Sequence, residues 1–118
     1  MPSYRFLRFR VGAADTIWSG DRRAFLLATP DGPPALIDGI CPHRGGPLGQ
    51  GIYDCRTKTL RCPWHGRQHP RRFLLSRAWP ALRIGSEWVV ALPPDASDGV
   101  LCFQRGALQI TPNAAETT

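Results

Sequence analysis

Two short loops with matching chemistry lie within residues 41–66, CPHRGGPLGQGIYDCRTKTLRCPWHG. The first loop carries Cys41 and His43, and the second carries Cys62 and His65. Thiolate and neutral imidazole are both good ligands for borderline-soft metals such as zinc and iron. The stretch therefore predicts a four-ligand metal site built from two loops.

The spacing within the loops bears on which metal group is bound. Zinc and a 2Fe-2S cluster are the two candidates for two cysteines and two histidines. Only one residue separates Cys41 from His43, so a single tetrahedral ion would have to be clasped by a very short chelate. Two neighbouring irons would let the cysteine and the histidine of one loop reach different metals. The spacing favours the cluster and leaves a structural zinc module as the alternative.

The residues around the loops are typical of an all-β chain. Residues 39–51 contain five glycines and two prolines, a composition that predicts a loop rather than regular structure. Hydrophobic alternation and turn signals predict β structure elsewhere, and no segment shows a helical period. The predicted strands are 4–11, 71–76 and 83–92. The predicted hairpins are 23–29 with 35–38 around the turn at 30–34, 52–61, and 100–110, and 62–70 is a second loop.

A chain of 118 residues is the size of one domain. We therefore expect a single domain over residues 1–118, with a polar tail from about 111 to 118. Trp18, Trp79 and Trp88 are predicted to belong to the core. Cys55 and Cys102 lie outside the two loops, and we expect both to be small buried hydrophobic residues.

The charge balance points to acidic partners. The chain has 15 Lys and Arg residues against 9 Asp and Glu residues, a net charge of +6. It shows no basic helix, no basic tail and no recognisable nucleic-acid motif, so we expect no nucleic-acid partner. We also expect no membrane span and no export signal, hence a cytoplasmic location with reduced thiols. Four arginines close to His65 are expected to form a docking rim: Arg67, Arg71, Arg72 and Arg77.

The sequence CPHRGGPL at 41–48, followed by CPWHG at 62–66, resembles the Rieske iron–sulfur motif. The resemblance implies an antiparallel β sandwich with a small cluster-binding subdomain over about residues 39–72. It also implies one 2Fe-2S cluster, with Cys41 and Cys62 on one iron and His43 and His65 on the other. Replacing two thiolates by neutral histidines makes such a centre easier to reduce.

The resemblance extends to the residues expected to surround the ligands, which are Arg44, Gly45, Leu48, Trp64, Gly66, Arg67 and His69. Trp64 is expected to pack over its loop and shield the cluster. Respiratory Rieske proteins carry a further cysteine in each loop, where Gly46 and Trp64 stand here, so the chain is more similar to the ferredoxin and oxygenase-associated branch. We hypothesise that Arg67 or His69 raises the reduction potential by placing a hydrogen-bond donor near the cluster.

The function implied by this resemblance is one-electron transfer. A ferredoxin of this kind would pass electrons from a reductase to a terminal oxygenase, both acidic at the docking surface, without catalytic residues of its own. A Rieske oxygenase needs a further mononuclear iron site, and the chain has only three histidines. The alternative that remains beside the zinc module is a small accessory subunit of a larger reductase, such as nitrite reductase.

Overall fold

The computed structural model describes residues 5–41, 45–96 and 99–111. His43, Arg44 and the predicted tail beyond residue 111 lie outside the described residues. The elements are β1 (Phe6–Arg10), β2 (Thr16–Ser19), β3 (Arg22–Leu27), β4 (Ala35–Asp38), a 3-10 turn η1 (Leu48–Gln50), β5 (Ile52–Asp54), β6 (Thr59–Arg61), β7 (Gln68–Pro70), α1 (Arg71–Leu75), β8 (Ala78–Trp79), β9 (Ala81–Ile84), β10 (Glu87–Ala91), β11 (Leu101–Phe103) and β12 (Gln109–Thr111).

Three sheets account for these strands, and the all-β prediction is confirmed. Their strand orders are β1-β10-β9, β11-β2-β3-β4-β8 and β12-β5-β6-β7. Every pairing is antiparallel except that of β12 with β5. No helix in the described part of the chain is long and apolar enough to cross a membrane.

The five-stranded sheet lies in the middle of the fold because both of its faces are apolar. Successive residues of a strand point to opposite faces. Phe25 and Ile37, which are paired across β3 and β4, contribute to one core cluster, whereas Leu36 packs in a second cluster with Trp79 and Trp88. The first cluster joins the middle sheet to the four-stranded sheet, and the second joins it to the three-stranded sheet. This places the two predicted loops beside the first cluster.

The predicted strand at 71–76 is wrong, because this segment forms helix α1. Pro70 is extended at the N-cap, with φ −68° and ψ 149°, which suits the end of a strand and the start of a helix. Arg71 and Leu74 are then buried on one face of the helix, at the i, i+3 spacing that brings side chains together on a helix. The segment just before it, 68–70, was predicted as loop and is strand β7, paired with β6.

The predictions for the C-terminal third need two further corrections. Residues 83–92 do not form one strand: β9 and β10 form a hairpin whose two-residue turn contains Gly85 at φ +61°. The strands at 101–103 and 109–111 do not pair with each other, since β11 pairs with β2 and β12 pairs with β5. The Asp15 carboxylate accepts hydrogen bonds from the Arg105 and Gly106 amides, both at 2.8 Å. These bonds hold the connection against β2 rather than allowing a hairpin.

Candidate metal centre

The two cysteine loops have the same backbone hydrogen bonds. In the first loop the Cys41 amide donates to the Gly46 carbonyl at 2.8 Å, and the Gly45 amide donates to the Cys41 carbonyl at 2.7 Å. In the second loop the Cys62 amide donates to the Arg67 carbonyl and the Gly66 amide to the Cys62 carbonyl, both at 2.9 Å. The cysteine thus occupies the same position in two equivalent loops.

A glycine in the left-handed region closes each loop. Gly45 has φ +76° and Gly66 has φ +70°, a conformation that residues with a Cβ adopt only under strain. Both were expected to surround the ligands, and their structural contribution is this turn. Since the loops share these hydrogen bonds and glycines, the matched loops predicted from the sequence are also matched in the backbone of their described residues.

The entry to the first loop is fixed by a buried carboxylate. Asp38, at the end of β4, accepts a hydrogen bond from the Ile40 amide at 3.2 Å and ion pairs with Arg22 and Arg77. The Arg77 guanidinium also donates to the Ile40 carbonyl at 3.0 Å. Both polar groups of the Ile40 backbone are therefore held by side chains, immediately before Cys41.

The two cysteines are buried in the same hydrophobic cluster. Cys41 is 1% exposed and Cys62 is fully buried, and they share this cluster with Leu48 and Tyr53. Leu48, predicted to lie near the ligands, is also fully buried there. The Cys62 sulfur lies directly against Gly46: a Cβ built at position 46 would be 2.6 Å from this sulfur. The first loop therefore contacts the cysteine of the second loop at a point where a Cβ would force the sulfur or the loop to shift.

His69 is the third histidine, and it lies beside the first cysteine. The side chain is 5% exposed, and its Nε2 is 3.4 Å from the Cys41 Sγ. The imidazole stacks on Phe73, with ring centroids 5.7 Å apart and an interplanar angle of 21°. Register on the sheet places His69 opposite Leu60, so that it points into the core beneath the loops.

His65 and Trp64 lie at the surface. Trp64 is 67% exposed, so the expectation that it packs over its loop and shields the centre is wrong. Its indole is edge-on to the exposed His65 ring, with centroids 6.3 Å apart. Arg67 is exposed as well, and its backbone carbonyl accepts the hydrogen bond from the Cys62 amide.

Two of the four arginines predicted to form the docking rim are structural. Arg71 is 8% exposed; it ion pairs with Asp31 at 3.3 Å and donates to the Thr29 hydroxyl and the Pro33 carbonyl. Arg77 is half-buried and holds the first loop, as described above. Charge in the sequence did not indicate these roles, because the acceptors of Arg71 are about forty residues away along the chain. Arg67 and Arg72 are exposed, as a docking role requires.

Asp31, one of the acceptors of Arg71, also forms a tyrosine–aspartate pair that sequence reasoning missed. The Tyr53 hydroxyl donates to Asp31 at 2.7 Å, and the Thr29 hydroxyl donates to the other carboxylate oxygen. Burial and the bond to Asp31 raise the pKa of Tyr53 to about 12, so the phenol keeps its proton at neutral pH. Tyr53 belongs to the hydrophobic cluster that contains both cysteines. The hydrogen-bond network of Tyr53, Asp31 and Arg71 therefore supports the packing beneath the two cysteine loops.

The described donor set fits a metal group that takes its ligands from both loops. The two sulfurs are buried together while His65 is at the surface, a distribution that suits one metal held by the cysteines and a second one nearer the surface. His43, the remaining predicted ligand, lies outside the described residues.

Comparison with known proteins bears on this donor set. The family model for the Rieske [2Fe-2S] domain matches residues 7–77, which include both loops. Neither the curated proteins nor the solved structures gave a match to the chain.

Proposed function

The chain belongs to the Rieske [2Fe-2S] domain family, and from this premise we propose that it is a ferredoxin-type carrier that takes one electron from a reductase and passes it to a terminal oxygenase. We assign Cys41 and Cys62 as ligands of one iron, and His43 and His65 as ligands of the other. The observation that carries this proposal is the pair of equivalent loops. They bury both cysteine sulfurs in one hydrophobic cluster of the core and leave His65 exposed.

The bound cluster supplies one-electron chemistry, and the residues of the chain supply its placement. Burial of Cys41 and Cys62 excludes water from the sulfurs, while the exposed His65 gives the centre an edge at the surface. Electron transfer of this kind needs no general acid, base or nucleophile, only short distance and little rearrangement. That rigidity comes from the hydrogen bonds that close both loops. It also comes from the bonds between the Ile40 backbone and the side chains of Asp38 and Arg77.

The proposal is tested on the purified chain by iron and sulfide analysis, visible absorption and electron paramagnetic resonance. We expect a red-brown protein with two irons and two sulfides per chain and a reduced state with a low average g value. A colourless chain that binds one zinc would contradict the assignment. Stoichiometric copurification with a large reductase subunit from native cells would contradict the ferredoxin role, since a free carrier is expected to be isolated alone.

Because Arg71 and Arg77 are structural, the docking rim expected from the sequence is redefined here. We further propose that partners dock on an exposed rim made of Arg61, Trp64, His65 and Arg67. All four residues are exposed, and Arg61 lies on β6 opposite Gln68, the neighbour of Arg67. Arginine and tryptophan are enriched at the centre of protein interfaces. The net charge of +6 and the two rim cations favour an acidic partner, and we propose a cytoplasmic location, where cysteines are kept reduced.

The rim predicts a salt-dependent rate of electron transfer. With reduced flavodoxin, an acidic one-electron flavoprotein, as the probe, we expect the second-order rate constant to fall about tenfold between low and high ionic strength, because screening weakens steering. The Arg67→Glu variant is expected to be slower than the parent at low salt. Arg10→Glu makes the same charge change on β1, in the sheet on the far side of the fold, and serves as the control. Equal rates for the two variants would argue against the rim.

A further inference from the structure

Two arginine side chains converge on one tryptophan beside the first cysteine loop. Trp18 of β2, predicted as a core residue, is only half-buried. It pairs across the sheet with Arg23 of β3, whose guanidinium lies 4.6 Å from the centre of an indole ring. The guanidinium of Arg105, which follows β11, lies 5.7 Å from the ring centre of the same tryptophan. Phe103 packs edge-on against this indole at 5.1 Å. One tryptophan therefore holds two cations.

Neither guanidinium forms an ion pair within the described residues. Arg23 and Arg105 are both exposed, and the ion pairs in that part of the chain belong to other arginines. The nearby Asp15 carboxylate accepts bonds from the backbone amides of Arg105 and Gly106. Contact with an aromatic face uses the flat side of a guanidinium, so the N–H groups along its edge remain available. Arg23 and Arg105, the arginine pair, thus present the donors that bind carboxylates in bidentate geometry.

A groove of about 400 Å³ connects the arginine pair with the docking rim. It is lined by Arg23, by Gly45 and Gly46 of the first loop, and by Trp64 of the rim. Arg23 also lines the small cavity beside Trp18, so the groove and the arginine pair are continuous. The groove therefore runs along the first loop from the arginine pair to the rim.

The charge of the groove favours an acidic protein segment as its occupant. Its described lining contains one carboxylate, Asp21, whereas the arginine pair contributes two cations. Carboxylates placed along the groove would meet complementary charge, which steers association and fixes the register of a complex. A second copy of the chain is a poorer occupant, because each copy carries a net charge of +6 and the two would repel each other.

We propose that the arginine pair and Trp18 form a second anchor for the redox partner: an acidic segment of the partner lies along the groove and places carboxylates against Arg23 and Arg105. The proposal rests on the proposed function and deepens it, because the rim alone would let the partner rotate about the exposed His65. Contact at two points fixes the orientation of the partner. Trp18 is a positioning residue, since its ring orients the guanidinium groups and need not contact the partner.

The test is the second-order rate constant of electron transfer from reduced flavodoxin to the purified holoprotein at low ionic strength. We expect Arg23→Glu and Arg105→Glu each to lower the rate constant about tenfold, because repulsion replaces steering. Asp21→Asn removes the carboxylate of the groove and should raise it. Arg10→Glu, on the sheet at the far side of the fold, is the matched control and should stay close to the parent value.

A second set of measurements separates the ring from the charges. Trp18→Leu keeps both cations but removes their stacking surface, and we expect the rate constant to fall about threefold, as the loss of an exposed cation–π contact implies. Its dependence on ionic strength should remain that of the parent, whereas Arg23→Gln should weaken this dependence. The midpoint potential should keep the parent value in both variants, which would show that docking and not the centre has changed.

A competitor tests the chemistry of the occupant directly. At constant ionic strength, a hexaglutamate peptide should slow the parent reaction more than a hexaglutamine peptide does, and it should lose this effect on the double variant Arg23→Glu, Arg105→Glu. Parent rates in both single charge reversals, or inhibition that persists in the double variant, would overturn the proposal. Stronger inhibition by a single-stranded oligonucleotide would also overturn it, since arginine and tryptophan likewise stack on bases. A parent chain that holds no cluster would instead refute the proposed function.

Discussion

The Gly46→Ala variant is expected to lose its metal centre, with bound iron at least tenfold below that of the parent, which corresponds to ~1.4 kcal/mol or more of binding free energy. A methyl group at position 46 would lie 2.6 Å from the Cys62 sulfur and 3.3 Å from the Trp64 Cβ. Cys62 is fully buried and both polar groups of its backbone are hydrogen-bonded, so its backbone is held in place. Relief of the clash must separate the loops or turn the sulfur away.

Iron and sulfide analysis of the purified variants, together with visible absorption, measures this loss. Gly99→Ala is the matched control, because a Cβ at position 99 would meet no heavy atom within 4 Å. Far-UV circular dichroism should show that Gly46→Ala keeps its β structure, so that the lost iron reports on the site. A Gly46→Ala protein with the iron content and spectrum of the parent would show that the Cys62 sulfur does not occupy this place.

The loops were predictable because their chemistry is local. Cys41 and Cys62 each precede a proline and are followed four residues later by a glycine, and these short-range features favour the hydrogen bonds that close each loop. The hairpin of β5 and β6 between the loops was predictable for the same reason. The alternating pattern at 4–11 likewise predicted a strand there, and the turn chemistry between β3 and β4 predicted their antiparallel pairing.

The errors occurred where a distant partner decides the outcome. Arg71 appeared to be a surface cation because Asp31, its partner across the fold, cannot be recognised from the local sequence. Residues 71–76 were predicted as a strand, yet Leu74 enters the core as part of a helical turn. The parallel pairing of β12 with β5 joins segments more than fifty residues apart, and Asp15 directs that connection through bonds to Arg105 and Gly106. Hydrophobic period and turn residues carry no information on such contacts.

The packing beneath the two cysteine loops depends on one cation, Arg71, through its network with Tyr53 and Asp31. Tyr53 contacts the cysteine cluster with its ring and Asp31 with its hydroxyl. Arg71 balances the charge of that carboxylate and also ties the 30–34 turn to α1 through the Pro33 carbonyl. The buried guanidinium of Arg71 therefore lies where the middle sheet, the four-stranded sheet and helix α1 meet.

Arg71→Met is accordingly expected to lower the free energy of unfolding at pH 7 by about 3–5 kcal/mol, because it leaves the Asp31 carboxylate buried without a countercharge. Arg72→Met makes the same exchange at the next position, where the side chain is exposed, and should change stability by less than about 0.5 kcal/mol. Urea denaturation of both variants and the parent measures the difference. Similar midpoints for the two variants would mean that the ion pair with Asp31 contributes nothing to stability.

The pH dependence of that difference follows from the Asp31 carboxyl. Burial alone would raise its pKa, but the bonds from Thr29 and Tyr53 and the charge of Arg71 outweigh burial and hold the pKa below its usual value of 3.8. A carboxyl with a depressed pKa in the folded state stabilises the fold above its unfolded pKa, and that stability is lost as the pH falls through the folded value. The parent should therefore lose stability below about pH 4, whereas Arg71→Met, with a smaller depression, should lose less. The gap between the two in urea titrations should thus narrow from pH 7 to pH 3, and a gap of constant size would show that the guanidinium acts through packing rather than through the carboxylate.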